Sequence, residues 1–552
     1  MNLSSTIKSI QDIMRKDDGV DGDAQRIGQL TWMMFLKIFD QCEETWEDDA
    51  ADRGEKYASP IPEGCRWRAW AKYDVNDEGK KQPKIQASEL INHVNNMVFP
   101  GLQGLNVEGD PIAKVVHEVF EDTNNYMKSG TLMLGVIEKL DEAIDFHDIK
   151  SRGQLGTVYE QMLNDLRSAG NAGEFYTPRA VTEFMVDRVN PNLKKRETVL
   201  DPACGTGGFL TSTIAHFETQ VSNRSGAKDR QAIGDCIRGF ERKQLPHLLC
   251  VTNMLLHGIE VPSMIERRNT LANPWNEWQK TERVDCVITN PPFGGLEDEG
   301  VGADFPSDVR TRETADMFLV LIVRKLLKDN GGRGAVVLPD GTLFGEGVKA
   351  KVKRILLEEC KLHTIVRLPN GVFSPYTGIK TNLLFFTKGK PTETIWFYEH
   401  HYPEGQKSYS KTRPLRIEEF DTMKDWWGNE SDGFKARVET EQAWKIDFRT
   451  IKSEAEAKAK PHWDKAEQLN NEATDVNQQL VQLRAAVKKE TKAAIKKKLN
   501  KELDAAQDKY EALIQQGKDE QAAGDRHYWP IYNLDIKNPN SPDAEVHDPD
   551  AL

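Results

Sequence analysis

Residues 284–293 read VDCVITNPPF, an apolar run that halts on Asn290-Pro291-Pro292-Phe293. The two prolines lack the N–H donors that a sheet ladder needs, so a strand must stop here. The loop then presents an amide side chain, a rigid carbonyl and an aromatic face. The Asn290 carboxamide oxygen and the Pro291 carbonyl are two acceptors close together, and the prolines fix the backbone that carries them. Set on the two N–H bonds of a planar amine such as adenine N6, they would draw it toward tetrahedral geometry and localise its lone pair. Phe293 would offer a face for a base to stack on.

Upstream, ETVLDPACGTGGFLTSTIAHF reads as a strand, a glycine-rich turn and a helix. Gly205, Gly207 and Gly208 allow close approach of a ligand to the backbone. The spacing is not GxGxxG and no Gly-Lys-Ser/Thr follows, so neither the dinucleotide fingerprint nor a P-loop is present. A turn at the carboxyl end of a parallel strand is where doubly wound sheets bind ligands. Glu241 closes the next strand candidate, IRGFE, where an acid can hydrogen-bond both hydroxyls of a ribose. In GEFYTPRAVTEFMV, Thr177 predicts an N-cap and Pro178 a first helical residue. Phe175 and Tyr176 either pack in a core or close over a small ligand.

The elements that must position these groups alternate. Strand candidates ETVLDPACG, IRGFE, VDCVITN, RGAVVLPDG, LHTIVRLPN, TNLLFFTKG and TIWFYE are interleaved with helical patterns such as ADMFLVLIVRKLLKDN and KAKVKRILLEEC. This predicts an α/β fold, a doubly wound Rossmann-like sheet whose later strands form an edge that turns antiparallel. Residues 1–150 read as a mostly helical domain, 151–415 as the catalytic domain, and 416–552 as a helical, coiled-coil-like partner-binding region with an extended tail. Ile27, Leu30, Met34, Leu36 and Ile38 keep close to a helical period. CRWRAWAKY, within the polar stretch 51–90, is an aromatic-basic patch: either a surface loop with half-buried tryptophans or a contact for DNA or a partner. Val476, Leu480, Leu483 and Val487 keep heptad spacing, which Leu499, Leu503, Ala506, Tyr510 and Leu513 resume. They predict a long helix or an antiparallel pair with an apolar seam for a partner helix.

At 552 residues, two or three domains are expected. The net charge of −13 is not the footprint of a chain that grips DNA over a broad surface. Any basic surface must be local or supplied by a partner. The seven scattered cysteines show no CxxC spacing, which fits reduced thiols in a cytoplasm rather than a disulfide frame or zinc site. Adjacent His400-His401 on a strand would point to opposite faces, so no metal site is expected. No run of 18 apolar residues exists, so no membrane contact is expected, and the N-terminus lacks the apolar core of a signal peptide.

DPACGTGGF together with NPPF resembles the amino-methyltransferases that use S-adenosylmethionine. GEFYTPRAV preceding both resembles the γ order of motifs in adenine-N6 DNA methyltransferases. ADMFL, RGAVVLPDGTLF and VRLPNGVFSPYTGIKTNLLFF resemble the modification subunit of type I restriction-modification systems, as does the N-terminal helical segment. The resemblance runs over almost the whole chain. It implies S-adenosylmethionine as cofactor, with Asp201, Gly205, Thr206, Gly207 and Gly208 along its methionine and ribose side and Glu241 on the ribose hydroxyls. Asn269 and Leu271 would meet its adenine. Phe175, Tyr176, Thr177 and Pro178 would cover its methionine, with Asp316 and Phe318 nearby. Asn290, Pro291, Pro292 and Phe293 would hold a flipped adenine, under a mobile loop spanning 294–314. The implied partners are double-stranded DNA, a specificity subunit carrying two copies of this chain and, indirectly, a translocating restriction subunit.

The residues leave two other readings. Protein-glutamine methylation shares the Asn-Pro-Pro-aromatic motif but predicts a shorter chain. A non-catalytic assembly subunit would not need intact motifs. Cytosine-C5 methylation is excluded, since neither Cys204 nor Cys286 follows a proline.

Overall fold

The structure is a computed structural model that describes residues 3–75, 79–143, 145, 155–156, 159, 163, 176–221, 226–374, 377–410 and 412–540. The N-terminal part is built on α1 (Leu3–Met14), α2 (Asp23–Asp52), α3 (Pro111–Phe120) and α4 (Gly130–Ala143), with a small hairpin of β1 (Tyr73–Val75) and β2 (Lys81–Pro83). The apolar period of α2 predicts one buried stripe, yet every residue from Ile27 to Asp40 is buried. Its neighbours wrap the helix on all sides, and two of its buried polar side chains find partners on other segments. Gln29 donates to Asn125 Oδ1 at 3.0 Å, and Lys37 pairs with Asp141 at 2.6 Å.

The aromatic-basic patch is neither a half-buried loop nor a free contact surface. Trp67 and Trp70 are each 1 % exposed. Arg68 is tied to Asp40 at 2.8 Å and Glu47 at 2.6 Å, and Arg66 to Glu47 at 3.1 Å. The cations of the motif serve the acids of α2.

The central sheet holds β3 (Val199–Asp201), β4 (Ile237–Glu241), β5 (Ile265–Arg267), β6 (Cys286–Thr289), β7 (Arg333–Pro339), β8 (Cys360–Arg367), β9 (Thr381–Lys388), β10 (Thr394–Glu399) and β11 (Ala443–Asp447), in the order β11-β10-β8-β9-β7-β6-β3-β4-β5. The seven strands expected from sequence are all present. The short β5 and β11 carried no apolar run long enough to announce them. The antiparallel turn is placed differently from expectation: β9 lies inside the sheet, antiparallel to both β7 and β8, and only β11 forms an antiparallel edge. The sheet also continues past residue 415, because β11 completes it.

Both faces of the sheet are covered, which its period-2 alternation records. Val199, Ile288, Val337, Leu383 and Phe385 face one core, shared with α5 (Arg179–Val189), α6 (Gly208–Glu218), α7 (Gln244–Leu256) and the N-terminal helices. Leu200, Val287, Val336, Leu384 and Phe386 face the other, with α8 (Thr314–Leu321) and α9 (Val348–Glu359).

Past the sheet, α10 (Phe448–Lys489) and α11 (Ala493–Tyr528) form an antiparallel hairpin. Gly524 lies against Trp463 and Ala459, Gly517 against Asn470 and Ala466, and Arg484 donates to Gln507 at 2.9 Å. A Cβ on Gly524 would come within 2.5 Å of the Trp463 ring, so only glycine permits this close crossing. The heptad seam expected to await a partner is filled from within, by Ala473, Val476 and Leu513 with Leu469, Tyr510 and Ile514 beside them. The chain then returns to the sheet, burying Tyr532 and Leu534 completely. Residues 541–552 of the tail lie outside the described residues. Among the described residues, no helix is long and apolar enough to cross a membrane.

Candidate functional site

A cleft of ≈ 290 Å³ opens at the carboxyl ends of β3, β4 and β6, where the order of connections reverses. Its lining brings together Thr177, Asp201, Gly205, Gly208, Glu241, Asn269, Asn290, Pro292, Phe293 and Phe318, residues far apart in sequence.

The glycine turn after β3 explains the first group. Gly205 and Gly207 take φ of +53° and +86°, a region other residues enter at a cost. A Cβ on Gly207 would also sit 2.9 Å from Cys250 Sγ, so glycine lets the turn press against α7. Gly208 then opens α6. Glu241, at the end of β4, accepts from Gly205 N at 3.0 Å and Lys243 N at 2.7 Å. It is 8 % exposed, and burial pushes its carboxyl up. Both oxygens keep further lone pairs for donors from a ligand. Asp201 is 1 % exposed and accepts from Thr289 Oγ1 at 2.7 Å and Ala203 N at 3.1 Å. Burial pushes it up to about 7, against the pull of those two bonds.

The tetrapeptide after β6 forms the facing wall. Asn290 donates through Nδ2 to Thr177 Oγ1 at 3.0 Å, while its buried Oδ1 accepts from no donor among the described residues. Thr177 is therefore not the N-cap of α5, as its sequence predicts. Pro178 occupies that position, and the threonine hydroxyl is turned to the Asn290 amide instead. Phe293 lies edge-to-face with Phe373, their centroids 6.1 Å apart.

Some expected residues stand behind the cleft instead of lining it. Tyr176, Thr206 and Leu271 are buried in the surrounding core, and Pro178 and Pro291 are also buried. Leu271 donates its N–H to the Asn269 side chain at 3.1 Å. Asp316 is 1 % exposed and pairs with Lys349 at 2.6 Å, so it ties α8 to α9. Phe175 lies outside the described residues.

Sequence reasoning missed Thr314. Its hydroxyl donates to the Pro292 carbonyl at 2.9 Å and its N–H to the Gly295 carbonyl at 3.1 Å. The stretch 294–314, expected as a mobile loop, is anchored. Phe305 and Val309 are buried, Leu296 bridges Glu313, and Arg242 reaches Glu297 at 3.1 Å. The signal that could have shown this was the apolar set Leu296, Val301, Phe305 and Val309 in an otherwise polar loop.

A family model described as N-6 DNA Methylase matches residues 150–472, and one described as HsdM N-terminal domain matches residues 3–140. The methylase subunit of the type I restriction enzyme EcoEI from Escherichia coli is 56% identical over 453 residues, covering 82% of this chain and 88% of that protein. The EcoKI methylase subunit from Escherichia coli strain K12 is 27% identical over 454 residues, 78% of this chain and 77% of that protein. Among solved structures, a modification subunit of a type I restriction enzyme from Vibrio vulnificus YJ016 matches with a TM-score of 0.67 and 41% identity, over 82% of this chain and 93% of that one. A chain from work on complex assembly and conformational transition of the type I R-M system matches with a TM-score of 0.70 and 35% identity, over 82% and 88%. With family models spanning both halves and a relative this similar over most of its length, the chain belongs to the methylase subunits of type I restriction enzymes and is the adenine-N6-specific DNA methyltransferase of such a system.

Proposed function

We propose that the cleft binds S-adenosylmethionine along the glycine turn and Glu241 and receives a flipped adenine between Asn290 and Phe293. The observation that carries this reading is Asn290 Oδ1, a buried acceptor facing no donor among the described residues. Such an atom is costly unless something supplies the N–H. The cofactor side fits as well, with a glycine turn that a backbone-hugging ligand needs and an acid with free lone pairs beside it.

When bound, S-adenosylmethionine supplies an electrophilic methyl group. The chain's own residues do the rest. Thr177 holds the amide nitrogen of Asn290, leaving the oxygen to accept an N6–H of adenine. The Pro291 carbonyl is the second acceptor in this reading. As N6 attacks, positive charge grows on its hydrogens, and acceptors fixed beforehand stabilise it without reorganising. The N6 proton then leaves to water. Phe293, braced by Phe373, stacks on the extruded base. DNA is read by a specificity subunit that holds two copies of this chain, and the restriction subunit joins through that assembly.

Asp201 gives this reading a pH signature. Its carboxyl is pushed up to about 7 in the free protein. The cofactor brings two cationic centres, which favour the carboxylate, so binding expels the proton. Affinity should therefore rise as pH climbs through 7 and level off above it, and Asp201→Asn should flatten the profile. Calorimetry between pH 6 and 8, in buffers of different ionisation enthalpy, measures both affinity and protons released. A flat wild-type profile would remove Asp201 from the cofactor site.

Thr314→Val keeps the side-chain shape but removes the bond to the Pro292 carbonyl. Losing one such bond costs about 1 kcal/mol, which spent entirely on the reacting geometry is roughly fivefold in kcat. Thr314→Ser should restore the rate, and cofactor affinity should stay unchanged in both. Equal kcat in the valine variant and wild type would show that the hydroxyl serves stability alone.

A further inference from the structure

The chain's net charge of −13 leaves open where it meets a polyanion. Residues 484–501, at the far end of the α10–α11 hairpin, answer with Arg484, Lys488, Lys489, Lys492, Lys496, Lys497, Lys498 and Lys501 against a single acid, Glu490. All eight cations are exposed. The rest of the chain is accordingly more acidic than the whole. From Ala459, where Gly524 crosses it, to Lys489, α10 runs for about 30 residues, or about 45 Å at the rise of an α-helix. The cations thus sit at the end of a long arm, away from the acids of the body.

The hairpin does not need this charge for itself. Its closed core lies further in, at Ala473, Val476 and Leu513. Arg484 and Lys488 stand four residues apart on α10, and Lys497 and Lys501 four apart on α11; like charges in that register are destabilising. Lys498–Glu502, at 3.9 Å on a side chain 81% exposed, is a loose contact. A cluster spread around a helical turn, with no acid network to neutralise it, suits evenly spaced phosphates rather than one fixed carboxylate.

We propose that this lysine-rich tip is a sequence-independent contact for the phosphate backbone of double-stranded DNA. It rests on the reading of the chain as a DNA-modifying subunit and adds a second DNA contact, remote in sequence from the methyl-transfer cleft. Neutralising phosphates releases counterions, so the contact should show itself as salt dependence.

The test uses the full chain with Lys488, Lys489, Lys492, Lys496, Lys497 and Lys498 all changed to Gln, and a second variant with the same six changed to Arg. A fluorescent 40-base-pair duplex of arbitrary sequence is titrated between 50 and 200 mM salt. The plot of log affinity against log salt should become shallower by about 0.9 for each phosphate that is no longer neutralised, so by several units in the Gln variant. Affinity at 50 mM should fall at least tenfold, and the Arg variant should match wild type. An unchanged slope would overturn the proposal. So would a failure to capture the specificity subunit with the DNA slope intact, which would make the tip a protein-binding surface. Calorimetry of S-adenosylmethionine on the same samples reports the cleft separately. If no sample bound it, the cofactor reading would fail while the salt comparison still judged the tip.

Discussion

Asn290→Ala should lower methyl transfer by about 100-fold or more, the scale for removing one prearranged polar contact to developing charge. Cofactor affinity should change little. The turn that carries Gly205, the Glu241 carboxylate and the Asp201 carboxyl are held by their own bonds, none of which passes through Asn290. The amide does hold Thr177, so a small loss of stability is expected, about 1 kcal/mol for one hydrogen bond. Thr177→Val is the useful companion. It frees the amide to turn without deleting the oxygen, and should fall between wild type and Asn290→Ala. Single-turnover methyl incorporation beside calorimetric cofactor binding separates the two effects. A kcat left unchanged by Asn290→Ala would end its assignment as an acceptor.

The second large effect concerns assembly. Replacing residues 467–516 by a short glycine-serine linker should abolish capture of the specificity subunit, and with it site-specific methylation, while cofactor binding persists. The cut is placed by the structure. Gly517 lies beside Ala466, so the shortened ends already meet there. The excised part owns a separate small core, whereas the root does not. Ala459, Tyr528, Tyr532 and Leu534 pack into the core under the sheet. Truncating everything beyond 460 would tear that core open and confuse unfolding with failed assembly. A pull-down with the specificity subunit, run with a thermal melt, checks the expectation. Undiminished capture would place the partner surface elsewhere on the chain.

The parts legible in sequence share a cause. Asn290-Pro291-Pro292-Phe293, Asp201 and the glycine turn are short segments whose chemistry is local, so residue type and spacing were enough. The seven expected strands announced themselves because strands covered on both faces read as apolar runs, whichever way their neighbours point. What failed to show depended on tertiary partners. Thr177 has a capping residue's identity, but its hydroxyl oxygen accepts from the Asn290 amide, 113 positions away. Arg66 and Arg68 look like a nucleic-acid patch until the acids of α2 lie beside them. The heptad seam reads identically whether its partner is another chain or the returning α11. Asp316 sits in a motif beside the cleft, yet Lys349 takes it.

In the proposed reaction the cleft moves a methyl group onto adenine N6 with Asn290 as acceptor. Its most direct test is to incubate the chain and its specificity subunit with DNA and methyl-labelled S-adenosylmethionine, then digest the DNA to nucleosides and the protein to amino acids. The label should appear in N6-methyl-2′-deoxyadenosine from wild type and fall to about a hundredth with Asn290→Ala. Label in methylglutamine, in a methylated cytosine, or undiminished in the Asn290→Ala reaction would contradict it.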